Sequence, residues 1–193
     1  MSKKQRTREN ILDAAWRRLE RGEATTLEEV GADAGVSRQS VYLHFGSRGG
    51  MMLALVAHID EKLGLGERIA AMRKIDDLFG RLDDTLALTA SYQEQIHGVA
   101  MALVRLAADD AEVRAALEDR MERRREGLAH AVARIARAGR LRKDWAQREV
   151  VDALWEASAP TSYQHLVVER GWKPARYRDW LTWLARSFVL DAG

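Results

Sequence analysis

Cysteine is absent from the 193-residue chain, which excludes a disulfide scaffold, a thiolate-ligated zinc site and thiol chemistry. Proline occurs only at Pro160 and Pro174, so little interrupts a helix before Pro160. No alternating apolar–polar run is long enough for a half-buried strand, and no apolar run approaches the roughly 18 residues of a membrane span. The polar start Ser2-Lys3-Lys4 is not followed by an apolar segment, so no secretory signal is expected and the cytoplasm is the expected compartment. The histidines at 44, 58, 97, 130 and 165 are scattered, with no pair at metal-binding spacing. There is no G-x-S-x-G elbow and no phosphate-binding G-x-x-x-x-G-K-[ST]. Carboxylate pairs such as Asp109-Asp110 read as complements to helix dipoles. No catalytic residue, metal or cofactor is therefore expected, and the chain is not read as an enzyme.

What is present is helix-forming sequence and an uneven charge. Lys and Arg number 31 and Asp and Glu 29; residues 1–48 hold nine of the former and seven of the latter, so the surplus of +2 lies in the first quarter. Lys3, Lys4, Arg6 and Arg8 all precede the first acid, a basic arm that suggests a polyanion at that end. Apolar residues recur with helical period almost throughout, and an all-α fold is expected. The periodicity predicts a first helix from about Thr7, its N-cap, to Arg21, and a second from Thr26, where Thr26-Leu27-Glu28-Glu29 has capping-box spacing. A third runs from a Ser37 cap over Arg38 to His44, and a fourth follows the Ser47 cap. Further helices are expected near 75–89, 92–107, 110–138, 146–170 and 175–190, with Pro160 kinking or restarting the fourth of these. The charged run Arg120, Glu122, Arg123, Arg124, Arg125 and Glu126 reads as a solvated face.

Thr25 to Met52 carries the functional signal. It reads as helix, glycine-containing turn and short helix, which is a helix-turn-helix. Gly35 permits the turn, and the small Gly31 and Ala34 allow close helix approach. Val30, Val36, Val41 and Phe45 are expected to close a small core with Leu12, Ala15 and Leu19. Arg38, Gln39, Ser40, Tyr42, Leu43 and His44 then remain on a polar edge suited to a major groove.

The run from Thr26 to Ser37, ending Ala34-Gly35-Val36-Ser37, with Val41-Tyr42-Leu43-His44-Phe45 and Ser47-Arg48 after it, resembles the TetR family of transcriptional regulators. A weaker echo spans Tyr163 to Trp172, Arg176-Tyr177 and Trp180-Leu181. The resemblance implies a helix-turn-helix DNA-binding domain with its basic arm at 1–48 and a larger helical domain at 49–193 for effector binding and dimerisation. It implies a homodimeric regulator, most simply a repressor released from a palindromic operator by a small apolar effector. Arg38, Gln39, Ser40 and Leu43 look like the base-reading set, with guanine, adenine and a thymine methyl as the partners of Arg38, Gln39 and Leu43. Tyr42, His44, Arg48 and Thr26 look like phosphate contacts. The alternative is a helical protein-interaction module without sequence-specific DNA binding.

Two residue choices depart from the family pattern. Glu28 is acidic where a neutral or basic residue is usual, and Gly49-Gly50 occupy the first turn of the fourth helix, where a soft start that alanines would stiffen is expected. In the larger domain, Met72, Tyr92, His97, Met101, Met121, Trp155 and Tyr163 are the effector-pocket candidates, with His97 also readable as a hydrogen-bonded core histidine. The last two helices offer Val150, Val151, Leu154, Trp155, Leu166, Val167, Trp180, Leu181, Trp183, Leu184, Phe188, Val189 and Leu190 as apolar surface for a homodimer.

Overall fold

The computed structural model describes residues 2–189, and Leu190 of the expected dimer surface lies outside them. Ten α-helices and one π-helical segment account for the regular structure described: α1 Lys3–Glu20, α2 Leu27–Asp33, α3 Arg38–Phe45, α4 Arg48–Lys62, α5 Leu65–Arg73, α6 Gly80–Leu106, α7 Ala111–Arg137, α8 Gln147–Ala157, α9 Pro160–Tyr163, the π segment Gln164–Glu169 and α10 Pro174–Ser187. Among the described residues there is no strand, only a single isolated bridge between Leu141 and Val189. None of the described helices is long and apolar enough to cross a membrane.

Two compact units are present: residues up to Gly66 with Gly98–Glu118, and Glu67–His97 with the residues from Asp119 onward. In the first, α1 buries Ile11, Leu12, Ala14, Ala15 and Leu19, a stripe at helical spacing, among the buried Val30, Val41, Met51, Met52, Leu55 and Ile59. Arg18 ties α1 to α2, donating to the Ala24 carbonyl at 2.6 Å and to Asp33 Oδ2 at 2.9 Å. Asp13 on α1 receives His58 Nε2 at 2.8 Å and Lys62 Nζ at 2.7 Å, which ties α1 to α4. Burial would raise the Asp13 carboxyl, but the hydrogen bonds and charges of Lys62 and His58 outweigh it and hold the group below its ordinary value. The C-terminal part of α6 also belongs here: a β-carbon on Gly98 would stand 2.7 Å from the Leu19 carbonyl oxygen at the end of α1.

The second unit closes around Leu82, Leu86, Leu128, Val132, Ile135, Val150, Val151, Leu154, Tyr177, Leu181, Ala185 and Phe188. Arg134 fixes the segment before α6 by donating to the Ile75 and Asp76 carbonyls at 3.0 and 2.7 Å. Pro160 and Pro174 each stand in the first turn of a helix, where the missing N–H has no partner to lose.

Several boundaries differ from expectation. Helix α1 begins at Lys3 with Ser2 as its cap, not at Thr7, so Lys3, Lys4 and Arg6 lie on the helix itself. Thr7 instead bonds back to the Lys3 carbonyl at 3.1 Å within it. The two expected helices at 75–89 and 92–107 are one, because Ala90-Ser91 contains no breaker. Within 146–170, by contrast, the restart expected at Pro160 is found: α8 stops at Ala157 and α9 begins at Pro160, whose ring forbids a continuous ladder.

Candidate nucleic-acid interface

The turn between α2 and α3 follows from local chemistry. Thr26 and Glu29 form a complete capping box: the Glu29 N–H donates to Thr26 Oγ1 at 3.3 Å and the Thr26 N–H to Glu29 Oε2 at 3.1 Å. The Thr26 hydroxyl also donates to that carboxylate at 2.7 Å, and this bond, with the backbone one, holds Glu29 below its ordinary value. Gly35 takes φ +69°, which only glycine adopts without strain. At Gly31 a β-carbon would approach the Val36 carbonyl oxygen to 2.9 Å, so the glycine lets the chain after the turn fold against α2. Ser37 then caps α3 by accepting from the Ser40 N–H at 3.2 Å.

This frame leaves one edge of α3 outward. Arg38, Gln39, Tyr42 and Leu43 are exposed, Leu43 to 76% and Tyr42 to 55%, while Val41 beneath them is fully buried. Ser40 and His44 are half-buried, and the His44 ring leans on Phe45 at 5.9 Å. Phe45 is also covered by the Arg8 guanidinium at 4.9 Å. Arg48 is exposed and donates to Thr25 Oγ1 at 3.3 Å. Thr26 differs from the rest of the expected set, since its hydroxyl is engaged by Glu29. Glu28 and Glu29 already complement the positive end of α2.

The double glycine after Ser47 is not a soft spot. Gly49 is buried, and a β-carbon there would collide with the Asp110 carboxylate, which itself caps α7 by accepting from the Glu112 and Val113 N–H groups at 3.0 and 3.1 Å. At Gly50 a β-carbon would overlap the Phe45 carbonyl oxygen at the end of α3. Alanines therefore clash here instead of stiffening the turn, and the glycines permit close packing of α4 on α3.

Residues 11–55 match the family model of bacterial regulatory proteins, tetR family. They form a TetR-family helix-turn-helix domain. The family assigns that domain to DNA binding in transcription regulation, not to catalysis. Among solved structures the chain is similar to a transcriptional regulator from Saccharomonospora viridis in complex with choline, at 19% identity and TM-score 0.82, covering 97% of this chain and 100% of that one. It is similar to FadR of Bacillus subtilis in complex with stearoyl-CoA, at 16% identity and TM-score 0.72, over 94% and 98% of the two chains. It is also similar to NalD of Pseudomonas aeruginosa, the secondary repressor of the MexAB-OprM multidrug efflux pump, at 23% identity and TM-score 0.66, over 100% of both. At these identities the likeness establishes a shared fold. No curated protein matches the chain.

The expected pocket residues are divided between the two units. Met101 belongs to the first unit and the others to the second. Met72 accepts from Thr85 Oγ1 at 3.2 Å, and Tyr92 accepts from Arg120 at 2.6 Å. Trp155 donates to the Met121 carbonyl at 3.1 Å, and the His97 and Tyr163 rings are 5.1 Å apart. The charged run on α7 is not uniformly solvated either: Glu122, Arg123 and Glu126 are exposed, but Arg120 turns to Tyr92 and Arg124 to the end of α8. Leu128, Val132 and Ile135 are buried, and Arg124 stands one turn before Leu128 on the same stripe, a signal that was readable in the sequence. Of the expected dimer surface, Val150, Val151, Leu154, Leu181 and Phe188 are monomer core, because the apolar stripes of α8 and α10 pack within the unit. Trp183 and Val168 stay exposed, to 65% and 54%. Among the described residues no cluster of three or more acids and histidines is placed to hold a metal.

Proposed function

We propose that the chain is a homodimeric, ligand-responsive repressor whose α3 reads a palindromic operator, with residues 1–48 as the reading domain and 49–193 as the regulatory one, acting in the cytoplasm. The observation that carries this reading is the outward edge of α3: two large side chains, Tyr42 and Leu43, are held in water beside Arg38 and Gln39 over the fully buried Val41. That edge offers a bidentate donor for guanine, a donor–acceptor pair for adenine and an apolar contact for a thymine methyl. Tyr42, His44 and Arg48 take phosphates, as do Lys3, Lys4 and Arg6, which crowd the first turn of α1 where cations oppose the helix dipole unless an anion faces them. Ser40, half-buried, supports the edge from its side. Thr26 contributes through the N–H groups of its helix start, not its hydroxyl.

The two-fold partner is a second copy of this chain, seated on the exposed apolar side chains Trp183 of α10 and Val168 of the π segment. Release follows from the contact of Gly50 with the α3 carboxyl end: a shift of α4 carries α3 with it and moves two recognition helices out of register. Selection from a random duplex library tests the reading. A two-fold-symmetric consensus with half-sites about one helical turn apart supports it. Recovery of no duplex, with the purified chain monomeric, would favour the protein-interaction module instead.

A further inference from the structure

The second unit contains buried polar side-chain atoms without a hydrogen-bond partner, Arg124 Nε, Gln93 Oε1 and His97 Nδ1, on neighbouring residues. Resting on the reading of this unit as the regulatory domain, we propose that Arg124, Gln93 and His97 form the recognition site for a small carboxylate that also carries a hydrogen-bond donor, a hydroxyl or an ammonium group.

Arg124 supplies the charge. Its Nη1 donates to the Ser158 carbonyl at 2.5 Å and to Ser158 Oγ at 2.8 Å, its Nη2 to the Trp155 carbonyl at 2.9 Å, and its guanidinium lies 5.2 Å from the Trp155 ring centre. These partners are neutral. Among the described residues no carboxylate pairs with it: Glu156, the acid that influences it, is exposed and forms no ion pair with it. Its Nε is buried and unpartnered. Burial pushes the guanidinium down to about 10, so it is still cationic at neutral pH. A buried cation held only by neutral acceptors favours an anion as its next neighbour.

Helix α6 supplies the acceptors. Gln93 is only 5% exposed and donates Nε2 to the same Ser158 carbonyl at 3.3 Å, which places it beside Arg124, while its Oε1 has no partner. His97 follows one turn later on the same face. Its Nε2 lies 2.6 Å from Gln164 Oε1, and Gln164 donates its own Nε2 to Glu169 at 3.2 Å. That second bond orients the Gln164 amide, so His97 Nε2 is the donor, which leaves the buried, unpartnered Nδ1 as a second acceptor. Tyr163, with its ring 5.1 Å from His97 and 5.2 Å from Tyr177, supplies an apolar wall. The complement of one cationic donor, two neutral acceptors and an aromatic wall is a carboxylate with a donor nearby. A hydrocarbon leaves all three groups unpaired, and a cation meets Arg124.

The test uses the purified full-length chain and calorimetry with mandelate, 4-hydroxybenzoate and phenylalanine, each against its primary amide. The expected result is that at least one acid binds about tenfold or more tightly than its amide. Arg124→Gln should erase that preference by removing the charge, and Arg124→Lys, which keeps the charge but loses the Nε–H and the planar fork, should reduce it. Arg124 also holds the end of α8, so the folded state of each variant is checked by circular dichroism. Phenylacetate, which lacks the hydroxyl of mandelate, is titrated beside it and should bind the parent chain more weakly; Gln93→Met and His97→Phe, which remove the two acceptors, should keep the preference for acid over amide but remove that advantage of mandelate. Absence of any acid preference, its persistence in folded Arg124→Gln, or an undiminished preference in folded Arg124→Lys overturns the assignment. If both Arg124 variants unfold, retention of the mandelate advantage in the Gln93 and His97 variants overturns it. Duplex binding by the same samples reports separately: acid-selective binding without it keeps the site and removes the regulator, and the converse removes the site alone.

Discussion

Gly50→Ala is a direct probe of how α4 is joined to α3. In an ordinary helix position the substitution stabilises by about 0.4–1 kcal/mol, because alanine restricts the unfolded chain and favours the helix. Gly50 lies in the first turn of α4, and the added methyl would overlap the Phe45 carbonyl oxygen, a backbone atom at the end of α3 that no rotamer change can move. Overpacking against a fixed neighbour costs about 1–3 kcal/mol. Subtracting the helical gain leaves a net destabilisation of about 1–2 kcal/mol, and relief requires α4 to move off α3. Gly66→Ala is the control: it stands in α5 with nothing near its β-carbon position and should follow the ordinary rule. Urea unfolding of the two variants beside the parent chain, with midpoints and slopes fitted separately, reads the difference. If Gly50→Ala is as stable as Gly66→Ala, α4 does not press on α3 and the coupling argued from it fails.

Asp13→Asn should lower stability by about 1 kcal/mol, the scale of a partly exposed ion pair, and flatten the acid limb of a stability–pH curve. Because the folded Asp13 carboxyl lies below its ordinary value of 3.8, the pair's contribution is present above that value and is lost as pH falls through the folded one; an unchanged acid limb contradicts this. Ser37→Ala removes the cap of α3 and should cost about 1 kcal/mol in thermal or urea unfolding. Arg38→Ala should cost about 1–3 kcal/mol at one operator base pair and little at others, measured by competition against single-substituted duplexes; a loss spread evenly over all duplexes makes Arg38 a phosphate contact.

The elements most legible in the sequence were those set by local chemistry. The capping box of Thr26 and Glu29, the Ser37 cap and the Gly35 turn each depend on residues within a few positions of one another, and α2 and α3 follow from them. The start of α1 was hidden because Lys3 and Lys4 oppose the helix dipole, while the Ser2 cap outweighs them. The roles of Gly49 and Gly50 depend on Asp110 and on the path of α3, which spacing along the chain does not reveal. Arg124 was read with its exposed neighbours, yet it turns inward to the end of α8. The apolar residues of α8 and α10 were visible as a surface, but periodicity cannot say whether a stripe meets its own chain or a second copy, and most of it meets its own.

The central claim is that two copies of α3 read one duplex, held to it largely by the phosphate contacts of the residues around them. Fluorescence anisotropy with the selected operator, repeated from 50 to 200 mM salt, tests it most directly. Lys3, Lys4, Arg6 and Arg48 of the two copies neutralise about eight phosphates, which gives a slope near −7 in log affinity against log salt and a loss of roughly ten-thousandfold over that range. A flat salt dependence, or binding that saturates at one chain per operator, would contradict the account.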